Sequence, residues 1–294
     1  MLLTHGQPAQ MLRLVQRLNV LFDNPDIVCH HDVAQCDLSD WRFPPNVRFV
    51  EQPVRTSWGT FSLVDATLRL LRATFESDGG PRWAVLLSGA DYPAAGRARV
   101  LADLDRDGVD AHIQHVRIDE RALDAEWYAQ DLHRPRRPGE HVVDVGKAYD
   151  RYLTATIPVI GRKLWRPVFT TPFLPYGAAV RCYAGSQWFT INERAARAVL
   201  DFTVRERRVV RHYRRVEVPD ESFFQTALAA SPGIRLNDHN FRYTEWHQGE
   251  GHPKTLAPGD LPKVQQSGAH FARKVSADAP DTLIRGLDAL CDRA

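Results

Sequence analysis

The sequence predicts an α/β protein with a mixed, mostly parallel central sheet flanked by helices. Short apolar segments alternate with longer segments of helical period through the first third of the chain. Hydrophobic residues make up 44% of the 294 residues, which is enough to fill a substantial core. Sheets of this kind bind ligands beyond the carboxyl ends of their strands, so functional residues are expected at that edge.

The predicted elements follow the order strand, helix, strand, strand, helix, strand. The strand segments are MLLTH (1–5), DIVCHHD (26–32), NVRFV (46–50) and the apolar part of RWAVLLSGADYP (82–93), which stops at Ser-Gly. The helical segments are AQMLRLVQRLNVLF (9–22) and TFSLVDATLRLLRATF (60–75). This order brings three polar groups to one edge of the sheet: Thr4 with His5, His31 with Asp32, and Ser88 through Asp91.

The middle of the chain, from about 119 to 175, is rich in Pro and Arg and has little regular periodicity. It is interpreted as long loops that cover a cleft, with an interdomain linker as the alternative. Regular structure is predicted again at 185–204, where a short strand leads into an amphipathic helix capped by Asn192.

The next segment, VPDESFFQTAL (218–228), sets Asp220 and Glu221 between a proline and an apolar helical run. Acidic residues in this position are typical helix caps. Alternatively, one acid caps the helix and the other faces a cleft as a general base. The local pattern alone leaves both interpretations open.

Composition and charge exclude several classes of protein. Lys and Arg number 38 against 36 for Asp and Glu, so the net charge of +2 predicts no nucleic-acid partner. The basic run RERRVVRHYRR (205–215) is interpreted as a solvated helix face or connection. No signal peptide and no apolar stretch of about 18 residues is present, which predicts a cytoplasmic protein without an integral membrane anchor. The four cysteines show neither metal-ligand spacing nor a disulfide pattern.

A metal site is not predicted. His30, His31 and Asp32 are adjacent, but neighbouring strand residues point to opposite faces and no His-Glu-x-x-His spacing is present. The sequence DRD (105–107) is interpreted as a helix end entering a turn. No glycine-rich phosphate loop occurs either, so a bound phosphate would have to contact side chains, for which Arg273 and Lys274 are the candidates.

Seven segments together resemble the core-2/I-branching enzyme family of glycosyltransferases, which includes β-1,6-N-acetylglucosaminyltransferases and peptide O-xylosyltransferases. They occur in the family's order over nearly the whole chain: RTSWGTFSLVDATLRLL, LLSGADYP, GSQWFTINERAARAVLDF, PDESFFQTAL, FRYTEW, HPKTL with DLP, and HFARKV. The resemblance implies a GT-A-type nucleotide-sugar-binding fold. It also implies inverting transfer from a UDP-sugar, with no cofactor and no required metal. The expected organisation is one domain over 1–294, with a nucleotide-binding half at about 1–118 and an acceptor-binding and catalytic half at about 119–294.

The resemblance also implies roles for individual residues. Glu221 would be the catalytic base, and Lys274 would contact the diphosphate, assisted by Arg273 or Arg242. Asp32 would bind uridine, and the segment with Arg55, Thr56 and Trp58 would line the donor pocket. Further candidates for binding the donor sugar or the acceptor are Ser88, Gly89, Asp91, Gln187, Trp188, Tyr243 and Trp246. For Tyr243 and Trp246, core packing remains the alternative.

One position departs from the xylosyltransferase pattern. Those members carry an aspartate in the Gly-Ser-any-Trp motif, whereas this chain has Gln187. UDP-N-acetylglucosamine is therefore favoured over UDP-xylose as the donor, with a glycan, peptide or small-molecule hydroxyl as acceptor. The alternatives are transfer from another nucleotide sugar to a small natural product, and a nucleotide- or glycan-binding module without turnover.

Overall fold

A computed structural model of the chain describes residues 1–75, 80–106, 108–118, 136–153, 174–246 and 252–292. Within these ranges the strands are β1 (Leu2–Thr4), β2 (Ile27–His31), β3 (Val47–Phe49), β4 (Trp83–Val85), β5 (Leu87–Ser88), β6 (Asp91–Pro93), β7 (Ala111–Ile113), β8 (Val116–Ile118), β9 (Cys182–Ala184), β10 (Phe189–Asn192), β11 (Leu236–Asn237), β12 (Arg242–Thr244) and β13 (Phe271–Arg273). The helices are α1 (Pro8–Phe22), α2 (Ser62–Phe75), α3 (Arg97–Arg106), α4 (Val145–Leu153), α5 (Glu193–Arg205), α6 (Arg207–Tyr213), α7 (Phe223–Ala229), α8 (Leu261–Ser267) and α9 (Asp281–Cys291). Single 3₁₀ turns lie at Pro219–Glu221 and Pro258–Asp260.

The central sheet is parallel, with strand order β3-β2-β1-β5. A second, mixed sheet has the order β11-β7-β10-β4, and a three-stranded sheet has the order β12-β13-β6. Strands β8 and β9 form an antiparallel pair. The predicted α/β class and its mixed, mostly parallel sheet are therefore confirmed.

The strand predicted within 82–93, which ends at Ser-Gly as expected, is wrong in one respect, because it forms two strands in two different sheets, and the residues after Ser-Gly form a third strand in a third sheet. Strand β4 pairs with β10, β5 pairs with β1, and β6 pairs with β13. The change of sheet occurs between adjacent residues: the Leu86 amide donates to the Phe189 carbonyl, and the Leu87 amide donates to the Met1 carbonyl. A continuous apolar run indicates burial but not which sheet each residue joins.

The core explains why the flanking helices form where they do. Helix α1 buries Met11, Leu14, Val15 and Leu18 at helical spacing, and α2 buries Val64, Leu68 and Leu71 on one side. Helix α5 begins as predicted, because the Asn192 side chain accepts a hydrogen bond from the Ala195 amide at 2.9 Å. None of the helices in the described ranges combines the length and apolar character needed to span a bilayer.

The prediction that residues 119–175 are irregular is wrong in part, because helix α4 lies within them. This nine-residue helix buries Val145, Ala148, Tyr152 and Leu153, a pattern too short to stand out among the surrounding prolines. Residues 119–135 and 154–173, which carry most of the predicted cleft loops, lie outside the described ranges. The basic run at 205–215 forms α6 with its arginines exposed, as predicted, and α3 ends at Arg106, before the predicted turn.

Candidate active site

The carboxyl ends of the parallel strands bring the predicted polar groups to one edge. In the pairing of β1 with its neighbours, Thr4 lies opposite His31 and Leu3 lies opposite Ser88. The amide of Asp32 then donates to the Thr4 carbonyl at 2.9 Å. The predicted juxtaposition of these three strand ends is confirmed.

Asp32 is buried at this edge and its carboxylate is occupied by protein donors. The Thr56 amide and hydroxyl donate to Oδ2 at 2.6 and 2.8 Å, and the Gln35 amide donates to it at 2.6 Å. The Ala34 amide donates to Oδ1 at 3.1 Å. Burial acts to raise the pKa of Asp32, but these hydrogen bonds outweigh it and lower the pKa to about 2. Asp32 is thus a fixed anion that holds Thr56 in place.

Thr56 lies in the loop between β3 and α2, which carries two exposed donor-pocket candidates. Arg55 is exposed, and Trp58 is 78% exposed, which is unusual for a large aromatic side chain. Gly59 follows in the left-handed region at φ +74°. Its carbonyl accepts a hydrogen bond from the Val218 amide at 2.9 Å, which connects this loop to the Pro-Asp-Glu segment.

Glu221 ends the 3₁₀ turn Pro219–Glu221, immediately before α7. Its side chain is 30% exposed, and its Oε2 lies 3.6 Å from a guanidinium nitrogen of Arg151 on α4. Burial is the main cause that raises the pKa of Glu221, to about 7, and the neighbouring Asp220 carboxyl adds to the shift against Arg151. At neutral pH this carboxyl can therefore both accept and release a proton.

The capping interpretation of the two acids is wrong. Neither the 3₁₀ turn nor α7 has a side-chain cap, and Ser222 occupies the N-cap position of α7. Asp220 is 4% exposed, and its Oδ1 has no hydrogen-bond partner within the described ranges. Burial raises the pKa of Asp220 to about 6. An unsatisfied buried carboxyl beside Glu221 is costly, which is typical of functional sites.

The turn is fixed by contacts with the Gly-Ser-Gln-Trp segment. The Gly185 amide donates to the Glu221 carbonyl at 2.8 Å, and the Gln225 side chain donates to the Ser186 carbonyl at 2.7 Å. A Cβ at position 185 would lie 1.9 Å from the Gln114 carbonyl oxygen, so only glycine fits there. The two family motifs therefore form one unit.

A buried ion pair lies behind the strand ends. Arg242 on β12 donates to the Asp91 carboxylate at 2.8 Å and to the Leu86 carbonyl at 2.9 Å, and both charged side chains are at most 1% exposed. The Ser88 amide and hydroxyl donate to the other oxygen of Asp91, at 2.6 and 2.7 Å. Gly89 lies between them, next to Thr4. Three predicted site residues, Ser88, Asp91 and Arg242, thus share one network with each other.

Trp188 joins this network to the Phe-Ala-Arg-Lys strand. The guanidinium of Arg273 lies 4.3 Å from the ring centroid of Trp188, and that of Arg242 lies 5.8 Å from it. Burial lowers the pKa of Arg273 to about 10. Lys274 is half-buried, and burial followed by repulsion from Arg273 lowers its pKa. Among the residues described, none forms a hydrogen bond or ion pair with its ammonium group.

Lys274 faces the strand ends from the third sheet. The Val275 amide donates to the Ala90 carbonyl at 2.8 Å, which places the end of β13 beside the Ser-Gly turn. Burial lowers the pKa of His5, Asp32 counteracts this, and His31 and the positive charge of Lys274 contribute further lowering. The cation therefore lies at the same edge as Asp32.

The aromatic and amide candidates differ in exposure. Tyr243 is 1% exposed, and its hydroxyl donates to Glu245, so the core-packing alternative holds for its ring. Trp246 is 42% exposed beside His141, with ring centroids 6.0 Å apart. Gln187 is half-buried next to Trp188. Trp246 and Gln187 are therefore open to a ligand, whereas the Tyr243 ring is part of the core.

Within the described ranges, no three His, Cys, Asp or Glu side chains are arranged to hold a metal ion. His30 accepts a hydrogen bond from the Val54 amide at 2.9 Å, and His31 bonds the Thr4 hydroxyl and the Cys36 carbonyl. Both histidines are thus buried polar residues bonded to neighbouring protein groups.

Sequence reasoning missed three residues of the site: Gln35, Arg151 and Tyr152. Gln35 bonds Asp32, and Arg151 pairs with Glu221. The hydroxyl of Tyr152 donates to the Val218 carbonyl, just before the Pro-Asp-Glu turn. The sequence of helix α4 has no pattern that would identify these contacts, because Tyr152 and Val218 are 66 residues apart.

The pH dependence of stability should reveal the buried Asp220. Its folded pKa of about 6 exceeds the usual 3.8, so the folded state binds more protons between these values and loses stability as pH rises through them. We expect Asp220→Asn to lack this loss. The difference in free energy of unfolding, variant minus wild type, should therefore be about 2 kcal/mol larger at pH 7.5 than at pH 4. Urea titrations at both pH values measure it, and a pH-independent difference would contradict the prediction.

Two glycosyltransferase structures are similar to nearly the whole chain at low identity. The galactosyltransferase LgtC in complex with donor and acceptor sugar analogues is 12% identical, with 98% of this chain and 93% of that chain covered and a TM-score of 0.39. Mouse xyloside xylosyltransferase 1 in its apo form is 12% identical, with 95% and 98% covered and a TM-score of 0.36. Likeness at this level supports no argument about mechanism. No curated protein sequence is significantly similar to the chain.

A protein-family model matches most of the chain. The core-2/I-branching enzyme family model matches residues 30–267, well over half of the chain. The matched range includes Asp32, the Gly-Ser-Gln-Trp segment and the Pro-Asp-Glu turn, whereas Lys274 lies seven residues beyond its end. The chain therefore belongs to the core-2/I-branching enzyme family and is a glycosyltransferase that acts on nucleotide sugars.

Proposed function

We propose that the protein transfers a sugar from a UDP-sugar to an acceptor hydroxyl in a single displacement with inversion, with Glu221 as general base. The observation that carries this proposal is the Glu221 carboxyl, which is 30% exposed, lies 3.6 Å from Arg151 and follows the buried Asp220, and this burial is consistent with a pKa raised to about 7. Its carboxylate takes the proton of the acceptor hydroxyl while the hydroxyl oxygen bonds to the anomeric carbon. The bond from that carbon to the diphosphate oxygen breaks, and UDP leaves with the electron pair.

The diphosphate needs positive charge as it leaves, and we propose Lys274 for this role. Its ammonium group at the edge of the sheet has no hydrogen-bond or ion-pair partner among the described residues, which supports the assignment, since preorganised charge at a developing anion is often the largest catalytic contribution. Arg273, the residue before Lys274, stacks on the Trp188 ring and is the second candidate for contacting the diphosphate. Arg242 is less suited, because Asp91 already neutralises it. With these cations in place, the proposal requires no divalent metal.

The donor and the acceptor are proposed from the exposed groups. Gln187 offers a neutral amide where xylosyltransferases carry an acid, which favours UDP-N-acetylglucosamine over UDP-xylose. Trp246 offers an exposed ring for the face of an acceptor sugar. The acceptor hydroxyl belongs to a glycan, a peptide or a small molecule. A different nucleotide sugar transferred to a small natural product is the alternative that the donor screen below tests.

We also propose that both halves of the chain serve one site in a single domain. The bond between the Val218 amide and the Gly59 carbonyl supports this, because it connects the donor-pocket loop in 1–118 to the turn of Glu221 in 119–294. The position of Lys274 near His5 supports it as well.

Donor binding without metal tests the proposal. UDP, UDP-N-acetylglucosamine, UDP-xylose, UDP-glucose and a TDP-sugar are compared by thermal shift in EDTA. We expect a UDP species at 100 times its Kd to stabilise the wild type by about 2.7 kcal/mol. Lys274→Ala should lose most of this stabilisation, and Lys263→Ala, at an exposed lysine paired with Glu245, should keep it. Binding that appears only after a divalent metal is added would overturn the metal-independent mechanism.

A further inference from the structure

Val218, directly before the Pro-Asp-Glu turn, has an unfavourable backbone conformation. Its φ is +51° and its ψ is +49°, in the left-handed region. A β-branched side chain is strongly disfavoured there, and such strain persists only where the surroundings impose it. Val218 is also 6% exposed, so solvent does not compensate its backbone groups.

Two hydrogen bonds impose this conformation. The Tyr152 hydroxyl donates to the Val218 carbonyl at 2.7 Å, and the Val218 amide donates to the Gly59 carbonyl at 2.9 Å. Tyr152 is 1% exposed, and burial raises its pKa far above the ordinary value for tyrosine. The hydroxyl therefore remains protonated and continues to donate over the whole working pH range.

The same helix contacts both ends of the turn. Tyr152 of α4 holds the carbonyl of Val218, and the preceding residue, Arg151, lies 3.6 Å from the carboxylate of Glu221. Val218 and Glu221 are three residues apart, so the direction of the chain leaving Val218 determines where the Glu221 carboxyl lies. A phenylalanine would fill the same core volume, which means that the hydroxyl is the part of Tyr152 that packing alone does not explain.

We infer that Tyr152 is a positioning residue for the transfer reaction, which holds Val218 in its left-handed conformation and thereby aims Glu221 at the acceptor hydroxyl. The inference rests on the proposed role of Glu221 as general base. A base displaced by about 1 Å costs on the order of 10²-fold in rate, so a single hydroxyl outside the site can control turnover.

Tyr152→Phe removes the hydroxyl and keeps the ring. We expect kcat to fall about tenfold or more, while the Kd for the UDP-sugar changes less than about twofold, because only the base is displaced. The acid limb of the pH–rate profile should also move, since the surroundings of Glu221 change. Adding Val218→Gly should recover most of the lost kcat, because glycine adopts a positive φ without strain.

The matched control is Tyr92→Phe, which removes another buried tyrosine hydroxyl, bonded to Asp288 at 3.1 Å and packed against α9. It should leave kcat unchanged at a temperature where every variant is folded. A wild-type kcat in Tyr152→Phe, a loss that Val218→Gly does not recover, or an equal loss in Tyr92→Phe would overturn the inference. If Glu221→Gln retains turnover, the proposed base is wrong; if it is inactive while Tyr152→Phe is normal, only the positioning role fails.

Discussion

Glu221→Gln is expected to lower kcat by roughly 10²–10⁴-fold while leaving donor binding intact, because general-base assistance is typically worth that factor. Glutamine keeps the size of the side chain and its place beside Arg151, but it cannot accept the acceptor proton. The loss should therefore appear in kcat, with the Kd of the UDP-sugar close to that of wild type.

The pH dependence of kcat/KM in the wild type is a second test of the role of Glu221. In the proposed mechanism the carboxylate is the active form, and its pKa is about 7, so kcat/KM should rise with pH through this value and level off above it. Asp220→Asn removes one cause of the raised pKa, and it should move this limb to lower pH. Steady-state rates between pH 5 and pH 9 measure both effects.

The control for charge is Glu193→Gln on α5, which removes a surface carboxylate paired with Arg197 and far in sequence from the turn. Its turnover should match wild type, since an exposed pair contributes at most about 1 kcal/mol to stability. Turnover in Glu221→Gln within a few-fold of wild type would exclude Glu221 as the base.

Much of the fold follows from local sequence patterns. Helices α1, α2 and α5 have strong 3.6-residue periodicity, and the strands beside them end in polar residues, so their order and the shared edge of Thr4 and Asp32 could be predicted. The division of 82–93 among three sheets could not. It depends on which distant strand each amide meets, and side-chain pattern carries no such information.

The candidate site shows the same division. The Pro-Asp-Glu and Phe-Ala-Arg-Lys segments could be found because their residues are adjacent in sequence. The hydrogen bonding and charge of each side chain could not be predicted, since they depend on residues that are distant in sequence. Asp32 has four protein donors, and Asp220 has an oxygen with none. Arg151 and Tyr152 come from a helix whose sequence gives no functional motif.

Arg242 illustrates why partners decide a role. As a cation in the FRYTEW segment it is a reasonable phosphate ligand, yet its side chain is 1% exposed and paired with Asp91. Burial lowers the pKa of Arg242, and the Asp91 carboxylate counteracts this. Arg242 lies 5.8 Å from the Trp188 ring that also contacts Arg273, so the pair lies next to the side chains where the diphosphate is proposed to bind.

Arg242→Met should therefore act on stability more than on chemistry. It leaves Asp91, which is 0% exposed, without its counter-charge, and breaking a buried pair in this way costs roughly 3–5 kcal/mol. Arg82→Met, at a pair with Asp105 whose arginine is 75% exposed, should cost less than about 1 kcal/mol. Urea unfolding measures both, and thermal shift with UDP on the folded Arg242→Met protein completes the comparison. A variant with wild-type stability that no longer binds UDP would make Arg242 a donor ligand and would move the diphosphate from Lys274 toward β12.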